Sequence, residues 1–228
     1  MKWVKKYNYL KSTKSLIGGS RYYSIENTKL PSVSEILEKT KPEEEKEALK
    51  AWRAKIGEAE SARISKESLS RGSQMHKIIE NFLLNRLNGE LLVRDDLAQK
   101  MANEIIDNGI KEKFSEIYGC EATLFFPDRF AGTCDAVGLY EGSEAILDFK
   151  NSRSPKKIEW IYSYLLQIAA YAMAHNKVHN SNISKGVILM CSTDLTFQKF
   201  EVEGNKFIEI QDDFMKRVDL FYKLESNS

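Results

Sequence analysis

The chain has 228 residues, 42% of them hydrophobic, and a formal net charge of +1. That length and composition fit one soluble globular domain with a sizeable core. They exclude a membrane span, since no apolar run approaches roughly 18 residues. Cys120, Cys134 and Cys191 are dispersed and form no CxxC pair, which argues against a disulfide framework, a zinc ribbon or an iron–sulfur cluster.

Charge is unevenly placed. Lys2, Lys5, Lys6, Lys11, Lys14 and Arg21 fall within the first 25 residues, which hold no acid, so the remainder is net −5. A basic arm on a mildly acidic body suits phosphate contact or simple solvation. Residues 7–10 and 21–25 read as a hairpin around Gly18 and Gly19, with Tyr7, Tyr9, Tyr22 and Tyr23 as strand residues. A short capped helix follows at 32–37, and a second at 42–54 opens with Glu43, Glu44 and Glu45, acids that suit a helix dipole. Residues 59–85 read as helix with a break near Gly72, and 95–116 as another, with Leu97, Met101, Ile105, Ile106 and Ile110 at helical spacing.

The pattern then changes. Runs at 121–126, 132–140 and 145–150, separated by turn residues, predict three sequential antiparallel strands. A helix at 160–177, strands at 186–192 and 198–202, and a closing helix at 204–224 complete an α/β chain with a central mixed β-sheet.

Three features carry chemistry. In the first, strand alternation puts Asp148 and Lys150 on one face and Phe149 on the other, with Asp135 on the neighbouring strand. Two close carboxylates repel unless a cation sits between them, and Mg²⁺ prefers such oxygen ligands. Lys150 can then stabilise charge on a phosphoryl group; the competing reading is a half-buried salt bridge. In the second, Gly72, His76 and Glu80 share a helix face, where His76 is either a metal ligand or a satisfied core histidine. The glycine implies close approach of the sheet. In the third, Gln167 and Tyr171, with Ser163, form a polar helical stripe that either supports a site or is simply surface. His175 and His179 lack partners to complete a zinc site and read as surface histidines.

Taken in order, a Gly-x-x-x-His helix, a Gly-x-x-Asp strand, an Asp-x-Lys strand and a Gln-x-x-x-Tyr helix resemble the RecB-type exonuclease branch of the PD-(D/E)XK superfamily. Within it, the chain is similar to the mitochondrial genome maintenance exonuclease family and its phage and bacterial relatives. The likeness includes residues 30–37 (LPSVSEIL), Glu121 before the meander, residues 148–152 (DFKNS) and residues 166–172 (LQIAAYA).

The resemblance implies a restriction-endonuclease-like core over 59–228, preceded by a basic hairpin and helical arch over 1–58, in a single nuclease domain. It implies metal ligation by His76, Asp135, Asp148 and the Phe149 carbonyl. Lys150 is then catalytic, Glu121 a recurrent acid, and Gln167 and Tyr171 support the site. Ser152 matches a recurrent serine, while Asn151 stands where relatives often have Thr. Arg71, Ser152, Arg153, Lys156 and Lys157 are candidates to meet DNA, and Trp52 or Trp160 to stack on bases.

The implied activity is Mg²⁺- or Mn²⁺-dependent hydrolysis, with one or two ions, of single-stranded DNA with free ends. A flap or branched-DNA endonuclease and a DNA-binding protein with an inactive core are the alternatives. A monomer is expected. The acid-free start loosely resembles a mitochondrial transit peptide. Its lysine-rich, tyrosine-flanked hairpin instead favours a phage-encoded or bacterial protein of the cytoplasm over one of the mitochondrial matrix.

Overall fold

A six-stranded mixed sheet divides the fold into two cores. The computed structural model describes residues 1–85 and 96–226. Strands β5 (Phe114–Phe126), β6 (Phe130–Tyr140) and β7 (Ser143–Ser152) form an antiparallel meander. Helix α5 (Tyr162–His179) crosses back to β8 (Lys185–Ser192), which pairs parallel to β7; β9 (Phe197–Glu203) returns antiparallel. Parallel neighbours require such a crossover. At the far edge β1 (Lys2–Trp3) runs parallel to β5, and Trp3 donates its indole N–H to Leu83 O at 2.7 Å.

Alternation along β7 directs Ala145, Leu147 and Phe149 into one core and Ile146 into the other. The first core lies under α3 (Glu58–Leu83) and α4 (Asp96–Ile105). The second lies under α1 (Val33–Lys39), α5 and α6 (Gly204–Ser226). Ser32 caps α1 by accepting the Glu35 N–H at 3.0 Å.

Several elements differ from their sequence reading. The N-terminal sheet has three strands, β2 (Thr13–Ile17), β3 (Ser20–Ile25) and β4 (Thr28–Pro31). The turn at Gly18 and Gly19 is where the sequence puts it, with φ of 59° and 84°. Residues 7–10 are not its strand, because the rings of Tyr7 and Tyr9 pack against histidines of α5 instead. Helix α3 runs unbroken through Gly72. The helix expected over 95–116 ends in a π turn at Ile106–Ile110, and β5 already begins at Phe114. Its expected start at residue 95 lies outside the described residues. Helix α2 (Glu43–Ile56) buries no residue and is joined to α3 through Gly57, whose φ is 88°. Among the described residues no helix is long and apolar enough to cross a membrane.

His175 is not a surface residue. It is 0% exposed, hydrogen-bonded through Nε2 to the Tyr9 hydroxyl at 3.0 Å and through Nδ1 to Ser181 Oγ at 2.7 Å. Burial pushes its pKa down to about 3, with the charges of His179 and Lys6 adding to the effect. Above the unfolded value of about 6.5 the ring is neutral in both states. Below it, the unfolded chain takes a proton that the fold refuses, so stability falls from there towards the folded pKa. At pH 5 this residue costs about 2 kcal/mol relative to neutral pH. Urea unfolding at pH 7 and pH 5 should give a smaller pH-dependent loss for His175→Gln than for the parent, by about that amount.

Candidate active site

The site forms where strands β6 and β7 part. Their ladder ends at Ala136↔Leu147, and one step further the register sets Asp135 against Asp148. Instead of a backbone pair, Asp135 Oδ2 accepts the Phe149 N–H at 2.6 Å. On the other flank of β6, Glu121 lies between the pairs Cys120↔Ala136 and Ala122↔Cys134, opposite Asp135. Three adjacent strands therefore present a row of acids. Glu121 has a φ of 50°, a left-handed conformation that costs energy for a residue with a Cβ.

Helix α3 supplies His76. Its Nδ1 lies 3.3 Å from Asp135 Oδ1, and its ring meets Phe149 edge-on at 6.1 Å. Burial opposes the charge on His76, but Asp135 outweighs it and raises the pKa. Burial also works against the Asp135 carboxylate, yet His76, Lys150 and the Phe149 N–H hold its pKa below the usual value. Burial pushes Glu121 upward, and repulsion from Asp135 adds to this.

Lys150 forms an ion pair with Asp148 Oδ2, and its ammonium lies 5.0 Å from the Tyr164 ring centre. Asp148 is 2% exposed, and that oxygen lacks a partner with hydrogen-bond geometry. Burial pushes Asp148 up to about 6, against the pull of Lys150. Burial disfavours the ammonium as well, but Asp148 and Asp135 overcome this and keep Lys150 charged.

Ligand atoms of His76, Glu121 and Asp135 lie within 4.8 Å of one another, close enough to hold one cation. A nitrogen and two carboxylates form a donor set suited to a divalent ion. Asp148 itself stands one strand over, engaged by Lys150.

His76, Glu121, Asp135, Lys150, Gln167 and Tyr171 all line one cavity of about 610 Å³. Gln167 Nε2 donates to the Tyr171 hydroxyl at 3.0 Å. The Tyr171 ring lies against Gly132, where a Cβ would come within 2.5 Å of Tyr171 Cε1. The glycine three residues before Asp135 thus makes room for the ring. Gly72 has a related role, though a side chain approaches it and not the backbone. A Cβ there would stand 2.9 Å from Asn151 Oδ1, and Asn151 Nδ2 donates to Ser68 O at 3.0 Å. Asn151 thereby ties the lysine strand to α3.

The candidate DNA contacts do not share this cavity. Arg71 and Arg153 line a separate groove with Arg63 and Thr193. Ser152 is buried and donates to Ser154 O at 2.7 Å, so its hydroxyl serves a turn. Lys156 is tied through its backbone to Gln198, while the Lys157 ammonium lies 5.6 Å from the ring centre of Trp160, which is 62% exposed. Trp52 sits on α2, half-buried. Sequence reasoning missed Lys14, Arg21, Tyr23, Leu69 and Tyr164, all of which line the cavity. Tyr164 was within reach, one turn before Gln167 on the same helix.

Comparison with known proteins adds a relationship at this point. The chain is similar to mitochondrial genome maintenance exonuclease 1. Identity to the Xenopus tropicalis protein is 28% over 181 residues, covering 74% of this chain and 50% of that protein. The Mus musculus protein is 27% identical over 178 residues, covering 75% and 52%. The Homo sapiens protein is 23% identical, covering 75% and 51%. The chain thus spans about half the length of the curated relatives it matches. No protein-family model matches it. A crystal structure of SSO0001 aligns with 43% of this chain and 48% of its own, at 17% identity and a TM-score of 0.29, too low to bear on the fold.

Because the Tyr171 ring fills the space beside Gly132, Gly132→Ala should destabilise the protein by about 1–3 kcal/mol through overpacking. Chemical denaturation of parent and variant measures this directly.

Proposed function

We propose that this chain is a metal-dependent exonuclease acting on single-stranded DNA with free ends, a single nuclease domain built on a PD-(D/E)XK core. The observation that carries the reading is the clustering of His76, Glu121 and Asp135 donors beside a charged Lys150 in one open cavity. Similarity to proteins named as exonucleases supports it.

The reaction is phosphodiester hydrolysis. A bond from water to phosphorus forms as the bond to the leaving 3′-oxygen breaks, giving one phosphate end and one hydroxyl end. Asp135, His76 and Glu121, with Asp148 one strand over, would hold Mg²⁺ or Mn²⁺, which would supply positive charge beside the phosphoryl oxygens and ease ionisation of water. Phe149 assists through its carbonyl, which points to the same side of β7 as the N–H that Asp135 accepts. His76 answers the charge of Asp135 and would offer its ring nitrogen to the ion. Asp148 and Asp135 hold the Lys150 pKa above its usual value, which favours a role as a cation towards the phosphoryl group. Gln167 and Tyr171 orient the substrate beside it. Arg71 and Arg153, with Lys156 and Lys157 beyond them, bind the strand outside the cavity.

Two tests follow. With Mg²⁺, a linear single-stranded DNA should be digested while its circular form survives, and EDTA should stop the reaction. Cutting of the circle would replace this reading with an endonuclease, and survival of both would refute single-stranded cleavage. Asp148→Asn should lower the rate on the order of 100-fold or more by removing the anion that positions Lys150. Separately, Mn²⁺ at about 100 times its dissociation constant should stabilise the fold by about 2.7 kcal/mol. A thermal-shift titration should show that gain in the parent and its loss in Asp135→Asn.

A further inference from the structure

Opposite the acidic cluster, the cavity is walled by the small N-terminal sheet. Lys14, Arg21 and Tyr23 all line it. The hairpin register explains why they act together. Lys14 pairs with Tyr23, and Leu16 with Arg21, so these four side chains share one face of the β2–β3 ribbon. Their neighbours Ser15, Ile17, Tyr22 and Ser24 point the other way, as does Lys29, which pairs with Ser24.

This face is built for a polyanion with apolar rings. Among the described residues the side chains of Lys14 and Arg21 enter no ion pair, whereas Lys6 and Lys39 each meet a glutamate. The Lys14 ammonium lies 5.4 Å from the Tyr23 ring centre, and Tyr23 is anchored through its hydroxyl to Thr133 Oγ1 at 3.2 Å. The charge of Lys14 reaches Glu121 across the cavity. Leu16, on the same face, is 73% exposed, and so is Leu69, which lines the cavity from α3. Exposed Leu69 and two cations without an ion pair therefore border the same opening as the acids and Lys150, with exposed Leu16 on the ribbon face that carries the cations. Oxygens of a nucleic-acid backbone satisfy the cations, and bases cover the leucines.

We infer that the β2–β3 hairpin is the second wall of the substrate channel. Lys14 and Arg21 hold the phosphates next to the scissile one, and Leu16 and Leu69 bracket a base between hairpin and helix. The inference rests on the nuclease reading and deepens it. It places the near contacts on the N-terminal sheet, on the other side of the cavity from the groove of Arg71 and Arg153.

The test is binding of a labelled single-stranded oligonucleotide of mixed sequence, with Ca²⁺ in place of Mg²⁺, across a range of salt concentrations. Three proteins are compared: the parent, the double variant Lys14→Ala/Arg21→Ala, and Lys29→Ala as a cation on the opposite face of the same sheet. All three positions are exposed, so the fold is expected to survive, and matching thermal midpoints check this. Each lost phosphate contact lowers the slope of log affinity against log salt by about 0.7 on single strands. The double variant should therefore lose about 1.4 from that slope and bind on the order of tenfold more weakly or worse, while Lys29→Ala matches the parent. An unchanged slope and affinity in the double variant would overturn the hairpin's role while leaving the nuclease reading intact. An equal loss in Lys29→Ala would do the same, by reducing the effect to general charge. Failure of the parent to bind at any salt would overturn the nuclease reading itself.

Discussion

Asp135 Oδ2 accepts the Phe149 N–H at the point where two strands stop pairing. Everything in the site hangs on that substitution of a carboxylate for a backbone carbonyl. A buried N–H without a partner costs about 1–3 kcal/mol, so the ladder can end in the interior only where some group takes over. Here the group that takes over is charged. One bond thus lets the sheet open, satisfies the exposed edge of β7, and fixes an acid at the mouth of the gap. Its other oxygen remains for His76, and its neighbours across the sheet are Glu121 and Asp148.

The cost of this arrangement is concentrated charge with little solvent. Burial opposes ionisation of His76, Asp135, Asp148 and Lys150 alike. Neighbours of opposite sign outweigh this at His76, Asp135 and Lys150, whereas at Asp148 burial prevails over the pull of Lys150. Breaking a buried pair by removing one partner is strongly destabilising because the other is left stranded. A set of this kind contributes little to folding. Under the proposed nuclease function its value is preorganisation, since dipoles and charges fixed in advance need not rearrange when charge develops in a reaction.

How much of this could be read in the sequence depends on the range of the interaction. Two-residue alternation was enough to put Asp148 and Lys150 on one face with Phe149 behind them, and four-residue spacing paired Gln167 with Tyr171. Both are local rules. Misreadings arose where a local pattern served a distant partner. Tyr7 and Tyr9 alternate as a strand does, yet their rings pack against buried His175 and half-buried His179 far along the chain. Ile106 and Ile110 continue a helical stripe, but a π turn ends it and delivers the chain to β5. Lys14 and Arg21 were visible only as part of a basic arm, because hairpin register decides which cations face the acids. The relation of Gly132 to Tyr171 was likewise hidden, since nothing nearby in sequence marks the ring that the glycine admits.

Helix α3 carries a mechanical consequence. Its 26 residues span about 39 Å as one continuous rod. One end is locked in the core by Met75, Ile79 and Leu83, and the other carries α2, which buries nothing. Asn151 grips the rod near its middle through Ser68 and the notch at Gly72, and His76 sits just one turn inward of that grip. The Asn151 contact and the His76 ring therefore sit on one continuous element, so the placement of that imidazole against Asp135 is fixed by the same helix that carries α2 at its outer end.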